Sequence, residues 1–159
     1  MYSDKVLFVI DMQKDYVGIN SRYKYDSVEL IAKINERIKL AQKNNDLIIY
    51  IKNKKILKNS EHISDFSDGL LVVSDFIFKK EKSSLISNPS IMQILNNNKI
   101  IQAEIIGVDG NCCVASSAAD AVKAGFKTIF PCEYIGVLNK ERFVKKKQIL
   151  KDLGVEIIY

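Results

Sequence analysis

"IIGVDGNCCVASSAADAVKAGFKTIF" runs from Ile105 to Phe130. It opens with an apolar run that ends near Val108. A polar turn follows, then the adjacent Cys112 and Cys113, then small residues up to Gly125. Gly125 suits the position just past a helix, where the chain enters the left-handed region that glycine tolerates best. A second apolar run, "KTIFPC", starts at Lys127. The spacing predicts strand, helix, strand: the βαβ unit of a parallel sheet.

The same alternation extends outward. "KVLFVID" (Lys5 to Asp11) is a continuous apolar run, as expected of a strand buried on both faces. Asp26 to Asn44 reads as an amphipathic helix, with Asp26 and Glu29 spaced like a capping box and Leu30, Ile31, Ile34, Ile38 and Ala41 on one face. "DLIIYIK" (Asp46 to Lys52) is a strand, and "LLVVSDFIFKK" (Leu70 to Lys80) contains another. Asn88 and Pro89 fit an N-cap and first turn, opening a helix to about Asn96. Glu141 to Leu153 is helical, and "VEIIY" closes the chain as a strand. Residues 53–69 are the least regular and are expected to form an exposed loop or lid. The predicted fold is α/β and Rossmann-like: one domain over residues 1–159, a three-layer sandwich whose mostly parallel six-stranded sheet carries helices on both faces.

Composition narrows the partners. Apolar residues make up 47% and charged residues 27%, ordinary values for a globular chain. No apolar run approaches the ~18 residues of a membrane span. The N-terminal stretch lacks a basic region and a small-residue cleavage site, so a cytoplasmic location is expected. The net charge is +5 and the pI about 9.0. The lysines are spread along the chain with acids between several of them, and no aromatic–basic interleaving appears, so neither nucleic acid nor membrane is expected as a partner. Three cysteines make a poor disulfide framework, and with the single histidine, His62, they form no zinc spacing. His62 is assigned no role.

In open parallel sheets, ligands bind beyond the carboxyl ends of the strands. Asp11 follows the first strand. Lys79 and Lys80 follow "FIF", and Asp109 to Cys113 follow "EIIGV". A carboxylate, an amine and a thiol therefore emerge on one edge. A thiol at a helix N-terminus, near an ammonium, is expected to have a lowered pKa. A carboxylate can take the thiol proton and later deliver it to a leaving amine, while turn N–H groups hold an oxyanion. A plainer reading is also open, in which Asp11 ends a strand, the lysines are surface residues and the cysteines fill the core.

Three segments resemble the isochorismatase-like cysteine hydrolases, the group that includes nicotinamidases. "LFVIDMQKDYV" is similar to the family's opening strand and D-x-Q-x-D-[FY] motif, and "DFIFKKEKSSLISNP" to its lysine segment. "IIGVDGNCCVASSAADAVKAGFKTIF" is similar to its nucleophile turn, helix and following strand. The resemblance implies hydrolysis of a C–N bond in a small amide through a thioester. It implies Asp11 as general base and acid, Cys113 as nucleophile, and the backbone N–H groups of Asp109 and Cys113 as the oxyanion hole. The Val108–Asp109 peptide would be cis. The family spacing, counted back from Ser84, Asn88 and Pro89, favours Lys80 as the catalytic lysine over Lys79, with Lys82 a further alternative. Strand neighbours face opposite ways, so only one of Lys79 and Lys80 is expected to point into the site. Cys112 would then belong to the turn. Tyr16, in the first motif, is a candidate substrate-pocket wall.

Departures from the family pattern fall around the pocket. "YIKNKKILKNSEHISDFSDG" has no Asp-x-His…His set like that of metal-binding nicotinamidases, so no metal and no cofactor is expected. Ile86 stands where the family often has an aromatic residue. The expected partners are a small-molecule substrate and further copies of the chain, as a homo-oligomer. Two alternatives remain: a thiol redox or sensing protein using Cys112, Cys113 and Cys132, and a non-catalytic binding member of the same family.

Overall fold

The computed structural model describes residues 1–57, 60–80 and 85–159. Lys82 and Ser84 of the lysine segment lie outside the described residues. Strand β1 spans Lys5–Ile10, followed by helix α1 (Ser27–Lys43) and strand β2 (Leu47–Lys52). Two three-residue strands, β3 (Lys55–Leu57) and β4 (Ser60–His62), form a small antiparallel hairpin. Then come β5 (Ile77–Lys79), α2 (Pro89–Asn97), β6 (Gln102–Val108), α3 (Cys113–Lys123) and β7 (Lys127–Pro131). A two-residue strand, β8 (Ile135–Gly136), precedes α4 (Lys140–Asp152) and β9 (Glu156–Ile158).

The main sheet runs β5-β2-β1-β6-β7-β9, with β8 added as a seventh strand beside β6. Its described ladders are all parallel. The expected fold is therefore found, with one short strand more than the pattern of apolar runs suggests. Two residues are too few to carry a period of two.

Local chemistry accounts for the element ends. Asn88 accepts hydrogen bonds from the Ser90 and Ile91 N–H groups, and Pro89 follows it in the first turn, so α2 starts there. Gly125 has φ +96° just past α3. Pleating then sorts the β1 side chains. Leu7 and Val9 pack with Leu30, Ile34 and Ile38 of α1 on one face of the sheet. Val6, Phe8 and Ile10 pack with residues of α2, α3 and α4 on the other.

The chain leaves β1 toward β2 by way of α1 and leaves β6 toward β7 by way of α3. These helices lie on opposite faces, so the crevice where strand order reverses opens between the ends of β1 and β6. The two strands run close there. A Cβ on Gly107 would come within 2.1 Å of the Ile10 carbonyl oxygen, and Gly107 itself has φ +117°.

Part of the expected lid is packed down instead. Buried Gln13 donates to the Asn53 and Ser64 carbonyls and accepts from the Asn53 N–H. Ser67 donates from its N–H to the Met12 carbonyl and from its hydroxyl to the Val17 carbonyl. Ser64 and Ser67 are buried as a result. These bonds hold residues 64–67 under the turn that follows β1.

Candidate active site

Asp11 is the first residue after β1. Its N–H still donates to the Ile51 carbonyl at 2.9 Å, and its own carbonyl accepts from Gln13 N–H at 2.8 Å. Its φ is +54°, a left-handed value that aspartate tolerates better than most residues. This conformation turns the chain out of the sheet with the carboxylate buried beneath the crevice.

Lys80 continues the β5 ladder by one bond, from its N–H to the Lys52 carbonyl at 2.7 Å. Lys79 is exposed, and Lys80 faces inward, where its Nζ lies 3.6 Å from Asp11 Oδ2. The Cys113 thiol lies against both groups. Asp11, Lys80 and Cys113 thus meet at one point from three strands. Asp11 Oδ1 is sealed from solvent and has no hydrogen-bond partner among the described residues.

Cys113 is the first residue of α3, and exposed Cys112 is its N-cap. The preceding turn is tightly held. Asp109 accepts through Oδ1 from the Asn111 N–H at 2.7 Å. Through Oδ2 it accepts from the Tyr25 hydroxyl at 2.8 Å and the Leu138 N–H at 3.1 Å. Its carbonyl takes the Cys112 and Val114 N–H groups. The Val108–Asp109 peptide is cis. Neither the Asp109 N–H nor the Cys113 N–H donates to another described residue.

Burial dominates the electrostatics. It raises the Asp11 carboxyl above the usual carboxylate range, against the lowering effects of Lys80 and Cys113. It also pushes the Cys113 thiol up to about 11, helped by the Asp11 charge and opposed by Lys80. The expected lowering of the thiol pKa is therefore corrected: desolvation outweighs the helix terminus and the ammonium. The resting thiol is protonated at neutral pH. Beside it stands a carboxylate whose basicity is raised.

A cavity of about 300 Å³ opens above Asp11 and Cys113. Tyr16, Tyr23 and Tyr25 line it, with Asn53, Asn139 and Arg142. Tyr16 was legible from the first motif. Burial pushes its hydroxyl up to about 12, with a smaller contribution from Asp11. Tyr23 and Tyr25 were missed, although their spacing in "RYKYD" would put both on one side of an extended segment. Asn139 and Arg142 carry no local signal at all.

The Isochorismatase domain model matches residues 5–158. The chain belongs to the isochorismatase family. No curated protein matches its sequence. Among solved structures, it is similar to an isochorismatase-like hydrolase from Alkaliphilus metalliredigens, at 20% identity and TM-score 0.82, over 97% of this chain and 92% of that one. It is similar to the pyrazinamidase of Pyrococcus horikoshii in complex with zinc, at 21% identity and TM-score 0.75, over 98% and 99%. It is also similar to N-carbamoylsarcosine amidase from Thermoplasma acidophilum, at 18% identity and TM-score 0.78, over 99% and 96%. At these identities the likeness is one of fold.

Zinc in one of these structures raises the question of a metal here. After β2 stand Asn53 and Lys54, and Lys54 Nζ pairs with Glu61 Oε1 at 2.8 Å. His62 Nε2 lies 3.5 Å from Asp15 Oδ2. Among the described residues no three carboxylate, imidazole or thiol side chains converge to hold a metal ion. These residues do not fit a metal. Among the described residues, no helix is long and apolar enough to cross a membrane.

Proposed function

We propose that this isochorismatase-family hydrolase opens the C–N bond of a small amide through a thioester on Cys113. The reading is supported chiefly by one observation: Asp11, Lys80 and Cys113 meet below the cavity, beside two N–H groups with no acceptor among the described residues. The two amidases among its structural relatives agree with it.

In this mechanism substrate binding displaces water, and the Cys113 proton passes to Asp11 as sulfur attacks the carbonyl carbon. A C–S bond forms, and the carbonyl oxygen becomes an oxyanion held by the Asp109 and Cys113 N–H groups. The raised basicity of Asp11 suits it to accept the proton, and the Lys80 ammonium offsets the charge left in a buried site. The C–N bond then breaks as Asp11 gives its proton to nitrogen, releasing ammonia or an amine. Water attacks the thioester and loses a proton to Asp11. The C–S bond breaks, the acid leaves, and Asp11 returns the proton to sulfur.

The test is ammonia release from a panel of small amides, with intact-mass detection of a covalent adduct on Cys113 that hydroxylamine removes. Turnover that disappears in Cys113→Ala and Asp11→Asn, with an adduct in the wild type, is the expected result. Turnover that survives Cys113→Ala overturns it.

A further inference from the structure

The cavity is lined by charges of both signs. Among its described lining residues are two acids. Asp11 is paired with Lys80, and Asp109 is occupied by three donors, from Tyr25, Asn111 and Leu138. The remaining charged lining residue is Arg142, and it has no carboxylate partner among the described residues. Among the described residues the cavity therefore offers an exposed guanidinium with no ion-pair partner.

Arg142 is anchored to the nucleophile turn. Its N–H donates to Asn139 Oδ1 at 2.9 Å, capping α4. The Asn139 carbonyl accepts from Asn111 Nδ2 at 2.9 Å, and the neighbouring Leu138 N–H donates to Asp109. These bonds fasten the first turn of α4 to the residues that precede Cys113. A guanidinium that lines the cavity can grip a planar carboxylate with two parallel hydrogen bonds. The tyrosine walls add aromatic faces on the other sides. A second arginine, Arg22, stands over the Tyr23 ring at 5.1 Å and donates to its hydroxyl at 3.0 Å.

We infer that the substrate of this site is a small amide that also carries a carboxylate, and that Arg142 binds that carboxylate while the amide carbon lies over Cys113. This inference rests on the amide-hydrolase reading for its chemistry. Its binding half stands separately on the unpaired cation. The net charge of +5 would speed capture of such an anion at low salt.

The test uses three matched pairs, each a carboxylate and a neutral analogue: isophthalamate and benzamide, succinamate and butyramide, N-carbamoylglycine and propylurea. Ammonia release gives kcat/KM for each compound in wild type, Arg142→Gln and Arg142→Lys. Calorimetry on Cys113→Ala, with and without Arg142→Gln, gives binding of the same compounds without turnover. Thermal melts check that each variant is folded. The wild type is expected to prefer the anionic member of at least one pair by tenfold or more. Arg142→Gln should reduce that ratio at least tenfold, mainly through KM, and Arg142→Lys should restore part of it. Arg142-dependent binding without hydrolysis of any amide would sink the amide-hydrolase reading and keep the carboxylate site. Hydrolysis of neutral amides with no anionic preference, or a preference unchanged in Arg142→Gln, would overturn the inference and leave the hydrolase reading intact. If no pair is turned over and none binds better as the anion, the inference also fails.

Discussion

Lys80 Nζ lies 3.6 Å from Asp11 Oδ2, with the two side chains only 7% and 4% exposed. A pair this deep is held by mutual compensation. Removing one partner leaves a lone charge out of water, which costs about 3–5 kcal/mol. Asp11→Asn and Lys80→Met should therefore each lower unfolding stability by about that much. The double variant, neutral on both sides, should recover most of the loss, because replacing a whole buried pair is often close to neutral. All three should lose amide hydrolysis by about a hundredfold or more. Urea denaturation of the four proteins gives the coupling directly. Simple addition of the two single losses would mean that the groups do not compensate one another.

The buried thiol predicts a specific pH dependence. Cys113 is pushed up to about 11 in the folded chain, against about 8.5 for a free thiol. Below about pH 8.5 the thiol is protonated in both states, so its contribution to stability is fully present. As pH rises from there toward 11, the unfolded chain gives up the proton and the folded chain keeps it. Stability is therefore lost across that window, by at most about 3.5 kcal/mol, since one pKa unit is worth about 1.4 kcal/mol. Urea midpoints measured at several pH values should fall more steeply for wild type than for Cys113→Ala. Alkylation of Cys113 by iodoacetamide should keep accelerating past pH 9. A plateau reached below pH 8 would show that the helix terminus and Lys80 prevail over burial.

Tyr25 acts on the site through Asp109. Its hydroxyl supplies one of the three hydrogen bonds that hold the Asp109 carboxylate, and Asp109 in turn braces the turn that lines the cavity. Tyr25→Phe removes only that bond. The expected cost is about 1–2 kcal/mol of stability, the lower end for a hydrogen bond to a charged group because Tyr25 is only half-buried. The kcat for any amide found to be turned over should fall about tenfold, as expected of a loosened oxyanion donor. An unchanged kcat, with the stability loss present, would confine Tyr25 to a structural role.

How much of this was legible depended on how local each signal is. The strand–turn–helix unit at 105–125 could be read because a continuous apolar run, a polar turn and a terminal glycine are local features. Gly125 indeed adopts φ +96°. Asp11, Lys80 and Cys113 could be named because short motifs carry them. Lys80 ranked over Lys79 through the spacing of the family's lysine segment, strand alternation saying only that the two face opposite ways. Lys80 lies against Asp11 and Lys79 is exposed. The direction of the Cys113 shift could not be read, since the depth of burial is set by the whole fold. Tyr23, Asn139 and Arg142 reach the cavity from loops and helix starts whose approach depends on tertiary packing. The β3–β4 hairpin was missed because "KNKKILKNSEH" shows no clean alternation of apolar and polar residues.

A second buried ion pair provides a control far from the chemistry. Arg37 of α1 grips Glu104 of β6 with a two-pronged contact, Nε to Oε1 at 2.7 Å and a second bond from a terminal nitrogen to Oε2. Both side chains are buried, and Lys5 Nζ stands 3.8 Å from the same carboxylate. The pair pins α1 to the middle of the sheet without lining the cavity. Glu104→Ala leaves a guanidinium under the helix with nothing to accept from it, at a cost of about 3–5 kcal/mol. An Arg37→Met, Glu104→Leu double variant should regain most of that. At temperatures where both variants are folded, kcat should stay within about twofold of wild type, since distant, unconnected sites contribute independently. If kcat falls tenfold while the protein remains folded, α1 must transmit its position to the Asp11 and Asp109 turns, and stability and catalysis would be coupled through the β1–β6 seam.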